Sequence, residues 1–93
     1  MEKLSAAQVQ AGLADLPDWH GDDTAISRTF RFHDFGGSVD FVNAVAEVAE
    51  SMQHHPDIDI RYNKVTLTLS THDAGGVTGK DLDLAREADH RTR

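Results

Sequence analysis

Cysteine is absent from this chain of 93 residues. The protein therefore has no disulfide framework, no thiol nucleophile and no thiolate ligand for a metal. Positive charge is scarce as well, because nine Lys and Arg residues face sixteen Asp and Glu residues, and the formal net charge is −7. Since binding to nucleic-acid phosphates requires clustered basic side chains, we expect no nucleic-acid partner.

Long apolar runs are also missing. No segment approaches 18 consecutive apolar residues, and the first five residues lack the basic-then-apolar pattern of a secretory signal. We therefore expect no membrane partner and a cytoplasmic location. The length predicts one domain over residues 1–93, whose core is small enough that self-association would bury useful surface. We expect a homo-oligomer joined through a sheet edge or a helix face.

The apolar pattern predicts three helices and two β-hairpins. Ser5 and Gln8 form a capping box for a first helix that runs to about Leu13. Alternation of apolar and polar residues predicts one hairpin up to Phe32 and a second from Ile58, with its turn at Asn63-Lys64. The predicted fold is α+β, of order α-β-β-α-β-β-α, with a four-stranded antiparallel sheet and helices on one face in two layers.

The two remaining helices have their own start signals. Ser38 is the expected N-cap of the longest helix, with Asp40 facing the dipole in its first turn, and Pro56 ends that helix. The last helix begins at Thr78, where Asp81 completes a capping box. In the second hairpin, Tyr62 shares the parity of Ile58 and Ile60, which predicts that all three pack into the core.

Three of the six histidines lie at the predicted ends of regular elements. His54 and His55 end the long helix, and His72 follows the last strand. Because the imidazole titrates close to physiological pH, clustered histidines are suited to moving protons. Exposed carbonyls at a helix C-terminus also favour a protonated imidazole. If the two hairpins pair in one sheet, the helix end and the strand end meet at one pocket.

Each of these residues also has a purely structural interpretation. His54 suits a helix cap, His55 a surface position and Asp81 a capping box. Glu50 either faces solvent or holds His54, one turn later, in a single tautomer. Three imidazoles are also a zinc ligand set, but adjacent histidines do not both ligate one ion without backbone strain, so we predict no metal.

The spacing of these residues resembles a known family signature. An acidic residue stands four positions before His-His-Pro, an aromatic residue follows after a short spacer, a third histidine comes ten residues later, and an aspartate closes the pattern. The residues concerned are Glu50, His54, His55, Pro56, Tyr62, His72 and Asp81. This constellation resembles the pterin-4a-carbinolamine dehydratases. One departure is that Ile58 and Asp59 stand where some members carry an aromatic residue.

The resemblance implies a lyase that eliminates water from 4a-hydroxytetrahydrobiopterin, giving a quinonoid dihydropterin in tetrahydrobiopterin recycling, without a cofactor. It implies a reduced pterin as substrate and a homodimer or homotetramer. The resemblance implies that His54 and His72 carry protons and that His55 holds and polarises the pterin. Ser70 and Thr71 are expected to bind substrate, and Asp81 is expected to orient His72 or bind the ring. Glu50 is expected to support a histidine. The alternative is a non-catalytic pterin- or protein-binding module that stabilises a partner protein.

Overall fold

A computed structural model describes residues 2–92 and has the predicted α+β architecture. The elements are α1 (Ala6–Leu13), β1 (His20–Gly21), β2 (Ile26–Arg31), α2 (Phe35–Met52), β3 (Asp57–Arg61), β4 (Lys64–Leu69), a 3-10 turn (His72–Ala74) and α3 (Gly79–His90). The four strands form one antiparallel sheet in the order β1-β2-β4-β3. The predicted fold class and element order are therefore confirmed.

Two helices begin at the capping boxes that the sequence predicts. Ser5 accepts a hydrogen bond from the backbone N–H of Gln8 at 3.1 Å, and the Gln8 side chain accepts one from the backbone N–H of Ser5 at 2.8 Å. At the start of α3, the backbone N–H of Thr78 donates to the Asp81 carboxylate at 2.9 Å. Both boxes satisfy backbone donors that a helix leaves unpaired at its N-terminus.

The two hairpins are joined where β2 pairs with β4. Phe30 lies opposite Val65, and the alternate residues of β4 that share that face are buried. The buried apolar core takes residues from all three helices, the sheet and the connecting loops, namely Val9, Leu13, Leu16, Trp19, Ile26, Phe30, Phe41, Val45, Val48, Val65, Leu67, Leu69, Val77, Leu82, Leu84, Ala85 and Ala88. Burial of this apolar surface is the main force that holds the helices to the sheet.

A charged residue on the apolar face of β2 is accommodated by two contacts. The guanidinium of Arg28 lies 4.2 Å from the centre of the Phe30 ring and 2.7 Å from the carboxylate of Asp89 on α3. The same carboxylate accepts a hydrogen bond from Nε1 of Trp19 at 2.8 Å. Asp89 therefore connects the end of α3 to the first hairpin.

The N-terminus of α2 differs from the prediction. The helix begins at Phe35, and its N-cap is Asp34, which accepts a hydrogen bond from the N–H of Gly37 at 2.8 Å. The predicted cap, Ser38, is buried within the helix and donates its hydroxyl to the carbonyl of Tyr62 at 2.7 Å. Asp40 consequently lies beyond the first turn.

Gly36 and Gly37 lie inside the first turn of α2, although glycine is a poor helix former. A Cβ at Gly37 would lie 3.1 Å from the Cβ of Phe32, so a larger residue there would require Phe32 to shift slightly. The segment that follows β2 thus approaches the helix closely at this position.

The edge strand β3 departs from the predicted burial. Ile58 and Ile60 point to the same side of the sheet as the core, but they are 38% and 36% exposed because the helices do not cover this edge. Tyr62 is 65% exposed and has φ of 52°, so the hairpin turn is Tyr62-Asn63 rather than Asn63-Lys64. The prediction that these three residues pack into the core is wrong.

Within residues 2–92, none of the helices combines the length and the apolar character that crossing a membrane requires.

Candidate functional site

The end of α2 separates the two adjacent histidines. Helix α2 ends at Met52, and Gln53 follows in the left-handed conformation with φ of 51°. The backbone N–H of His54 then bonds back to the carbonyl of Ala49 at 3.0 Å. His54 is thereby turned into the protein, whereas the side chain of His55 is 62% exposed.

The inward-facing His54 is paired with a buried carboxylate. Its Nε2 lies 2.5 Å from Oδ1 of Asp81, and the side chains are 9% and 0% exposed. The other oxygen of Asp81 accepts hydrogen bonds from the Thr71 hydroxyl at 2.8 Å and from the Thr78 backbone N–H at 2.9 Å. The capping role of Asp81 is therefore confirmed, and its carboxylate contacts His54 instead of the expected His72.

The outward-facing His55 has an exposed partner. Its Nε2 lies 2.5 Å from Oε2 of Glu50, whose side chain is 75% exposed. Of the two roles predicted for Glu50, the solvent-facing one agrees with this exposure, and the contact with His54 does not form, although residues four apart lie on one face of a continuous helix. The left-handed Gln53 interrupts the helix before His54, so Glu50 meets His55 instead.

The third histidine lies on a turn just past the sheet. Strand β4 ends at Leu69, and Thr71 then pairs with Gly76 in an isolated bridge. His72 begins the 3-10 turn enclosed by this bridge and is exposed. Its side chain makes no hydrogen bond or ion pair with any residue in 2–92. His72 is thus free to interact with a ligand.

One open cavity of about 360 Å³ brings the three histidines together. It is lined by Gln53, His54, His55, Pro56, Asp57, Ser70, Thr71, His72 and Asp73. The helix end and the strand end therefore meet at one pocket, as the sequence predicts. Glu50 and Asp81 are not part of the lining and reach the cavity only through the residues they hold.

Two predicted substrate-binding hydroxyls already have partners in the protein. The Ser70 hydroxyl donates to the carbonyl of Thr24 at 2.7 Å, and the Thr71 hydroxyl donates to Asp81. Their protons are thus committed, and only their oxygens are available as hydrogen-bond acceptors. Asp57 and Asp73 also line the cavity and are not among the predicted site residues, although each stands within two residues of a motif histidine. Their carboxylates give the cavity mouth a negative charge.

The described residues also bear on the zinc alternative. Within residues 2–92, no three or more His, Cys, Asp or Glu side chains are grouped so that they could hold a metal ion. The three histidines share a cavity but do not form a ligand set in this structure.

Comparison with known proteins gives a consistent result. The sequence-family model described as "Pterin 4 alpha carbinolamine dehydratase" matches residues 2–91. The chain is 52% identical over 92 residues to a protein of Nocardia farcinica named "Putative pterin-4-alpha-carbinolamine dehydratase", and the match covers 99% of this chain and 97% of that protein. The family resemblance predicted from the histidine motif is therefore confirmed.

Solved structures show the same fold. The chain is similar to a transcriptional coactivator/pterin dehydratase from Brucella melitensis, with a TM-score of 0.94, 34% identity, and coverage of 99% of this chain and 100% of the other. It also resembles a pterin dehydratase-like protein described as a RuBisCO assembly factor in the alpha-carboxysome. In that case the TM-score is 0.66 at 20% identity, covering 80% of this chain and 86% of the other, which shows the fold alone.

Proposed function

This chain belongs to the pterin-4a-carbinolamine dehydratase family, and we propose that it removes water from a 4a-hydroxytetrahydropterin to give a quinonoid dihydropterin. The observation that carries the proposal is the convergence of His54, His55 and His72 on one cavity. We further propose that the reaction serves tetrahydrobiopterin recycling in the cytoplasm, as the sequence analysis expects.

The proposed chemistry needs only proton transfers. A proton is delivered to the departing 4a-hydroxyl, which leaves as water, and another proton is removed from a ring nitrogen. No electrons are gained or lost overall, so imidazoles are sufficient acids and bases. A well-placed acid or base contributes ~10²–10⁴-fold to such a rate.

The environments of the histidines support different roles. His72 is exposed and has no partner in residues 2–92, and we assign it the proton transfer at the 4a-hydroxyl. His54, held by Asp81, is the second proton carrier. His55 is exposed beside Glu50, and we assign it the holding and polarising of the pterin.

Three other predicted site residues bind the pterin or hold His54. Ser70 and Thr71 line the cavity and offer their oxygens as acceptors to the amino and ring N–H groups of a pterin. Asp81 is fully buried, and both its oxygens accept bonds from protein groups, so it acts through His54.

The test is the dehydration of freshly generated 4a-hydroxytetrahydropterin, followed by ultraviolet absorbance against a control without protein. Wild type should accelerate the reaction, and His72→Ala should lose ~10²-fold or more of that acceleration. His20→Ala is the matched control, because His20 is exposed on β1 and does not line the cavity. No acceleration by folded wild type would reject the dehydratase and favour the binding-module alternative.

The exposed edge strand supports a second proposal, self-association through β3. Within residues 2–92, no strand pairs with the outer side of β3, and Ile58 and Ile60 expose apolar surface beside this edge. Antiparallel pairing of β3 with a second copy about a two-fold axis through Asp59 places Asp57 opposite Arg61 of that copy, twice by symmetry, and these two opposite-charge pairs flank one like-charge pair of the two Asp59 residues. We propose that the protein is a homo-oligomer built on this contact.

Sedimentation velocity tests this contact. Wild type should sediment as a dimer or a larger homo-oligomer, and Ile60→Lys should shift it towards monomer, because a buried lysine at the contact carries an unpaired charge. Ala14→Lys introduces the same positive charge at an exposed site after α1 and should leave the sedimentation unchanged. A monomeric wild type, or equal behaviour of the two variants, would contradict the proposal.

A further inference from the structure

A chain of hydrogen bonds connects the carboxylate that holds His54 to two threonines. Neither threonine has a role as acid or base in the proposed dehydration. Thr78 and Asp81 are fully buried, and Thr71 lies between them and the cavity. The Thr71 hydroxyl oxygen is 2.8 Å from the Thr78 hydroxyl oxygen and 2.8 Å from Oδ2 of Asp81. The backbone N–H of Lys80 reaches the Thr78 hydroxyl oxygen at 3.3 Å.

The direction of this chain follows from the number of protons available. An ionised carboxylate only accepts hydrogen bonds, and each threonine hydroxyl donates one. Thr71 must therefore spend its proton on Asp81, and it accepts the proton of the Thr78 hydroxyl. Thr78 in turn accepts from the Lys80 N–H. Every donor in the chain points towards the carboxylate.

The carboxylate at the end of the chain sets the proton position on His54. Oδ2 of Asp81 accepts the bonds donated by Thr71 and Thr78, and Oδ1 of the ionised carboxylate is left to accept the proton of Nε2 of His54. The other ring nitrogen, Nδ1, makes no hydrogen bond within residues 2–92. In the same residues every fully buried side-chain polar atom has a partner, so Nδ1 is reached by solvent, and His54 lines the cavity. Nδ1 is therefore the nitrogen of His54 that can exchange a proton with a molecule bound in the cavity.

We propose that Thr71 and Thr78 are positioning residues that keep Asp81 an acceptor, so that His54 is held as the Nε2–H tautomer with Nδ1 as its reactive nitrogen. The kinetic consequence rests on the proposed dehydratase function, whereas the tautomer does not. Thr71→Val keeps the shape of the side chain but removes the donated proton. Thr71→Ser keeps the proton and loses one methyl group.

The experiment is nitrogen-15 NMR of the histidine rings, with His54→Gln used to assign the His54 signals and circular dichroism used to check folding. Above the pH at which the ring loses its second proton, wild type and Thr71→Ser should show a protonated Nε2 and an unprotonated Nδ1 at His54. Thr71→Val should show a mixture of the two tautomers. The spectrum of His20 serves as an internal control and should not change.

Rates measured on the same variants separate the two proposals. Thr71→Val should lose about 10-fold in kcat, and Thr71→Ser should recover most of it, whereas loss of the proposed contact between Thr71 and the pterin would raise KM with kcat unchanged. A wild type with its proton on Nδ1 of His54 would overturn the inference, even if Thr71→Val does not fold. An unchanged tautomer in folded Thr71→Val would overturn it too. The expected tautomers in a protein that accelerates no dehydration would reject the proposed function and leave the positioning role standing.

Discussion

Two neighbouring histidines carry the same kind of partner in opposite environments. Nε2 of His54 and Nε2 of His55 each lie 2.5 Å from a carboxylate oxygen, of Asp81 and Glu50 respectively. The first pair is shielded from water and tied to two threonines, and the second is exposed. Equal distances therefore do not mean equal energies, because exposed ion pairs contribute about 0–1 kcal/mol and breaking a buried pair costs about 3–5 kcal/mol.

The largest expected effect comes from removing the buried carboxylate. Asp81→Asn weakens the pairing with His54 and the capping box of α3 together, so the free energy of unfolding should fall by about 3 kcal/mol. Urea unfolding followed by circular dichroism measures the loss. The matched change in the exposed pair, Glu50→Gln, should cost less than about 1 kcal/mol. Equal losses in the two variants would show that burial does not distinguish the pairs.

Replacing each histidine separates stability from catalysis. His54→Ala and His55→Ala should each lower the dehydration rate by ~10²-fold if both act on the pterin. His54→Ala should also lower the free energy of unfolding by about 3 kcal/mol, because it leaves the Asp81 carboxylate buried with one oxygen unpaired. His55→Ala leaves only an exposed carboxylate and should not change the stability measurably. A stability loss in His55→Ala alone would reverse the comparison.

High salt should weaken the exposed Glu50–His55 pair and leave the buried Asp81–His54 pair unchanged. At about 1 M ionic strength the screening length falls to about 3 Å, which weakens interactions between exposed charges. The stability difference between wild type and Glu50→Gln should therefore disappear in high salt, whereas that of Asp81→Asn should persist. Denaturation curves collected at low and high salt give both differences. A salt-sensitive Asp81→Asn would mean that solvent reaches the buried pair.

The smallest expected effect concerns an exposed carboxylate that has hydrogen bonds instead of an ion pair. The Thr24 hydroxyl, together with the backbone N–H groups of Thr24 and Ala25, holds the pKa of Asp22 below its ordinary value. A pKa lowered by folding means that ionised Asp22 stabilises the protein above the unfolded-state pKa. This contribution is lost as the pH falls through the lowered value.

Asp22→Asn should therefore be slightly less stable than wild type near neutral pH, and the difference should vanish in acid. Thermal unfolding of both proteins between about pH 7 and pH 3 measures it. A difference that grows as the pH falls would contradict the sign of the shift.

Local signals were sufficient to predict much of the fold. The capping boxes at Ser5 and Thr78 and the alternation in β4 each depend on residues that are close in sequence, and the structure has all three. Errors arose where distant contacts decide the outcome. Ser38 was expected to cap α2, but it meets the carbonyl of Tyr62 from the second hairpin. The exposure of Ile60 depends on which strand lies at the sheet edge, and alternation identifies only a face.

The site shows the same division. The motif spacing identified the three cavity histidines, but not which carboxylate each one meets. That pairing depends on the left-handed Gln53, which sequence patterns did not reveal, and on the packing of α3 against the end of α2. The capping box accounts for Thr78 from the sequence alone, so its hydrogen bond to Thr71 could not be predicted from that pattern.

The contact between Trp19 and Asp89 gives the protein an intrinsic optical reporter. Trp19 is the only tryptophan in the sequence, is 4% exposed, and donates Nε1 to Asp89 near the end of α3. The same helix carries Asp81 in its first turn. Detachment of α3 therefore wets the indole and shifts its fluorescence to longer wavelength, so the emission of one residue reports whether the helix that supports His54 is in place.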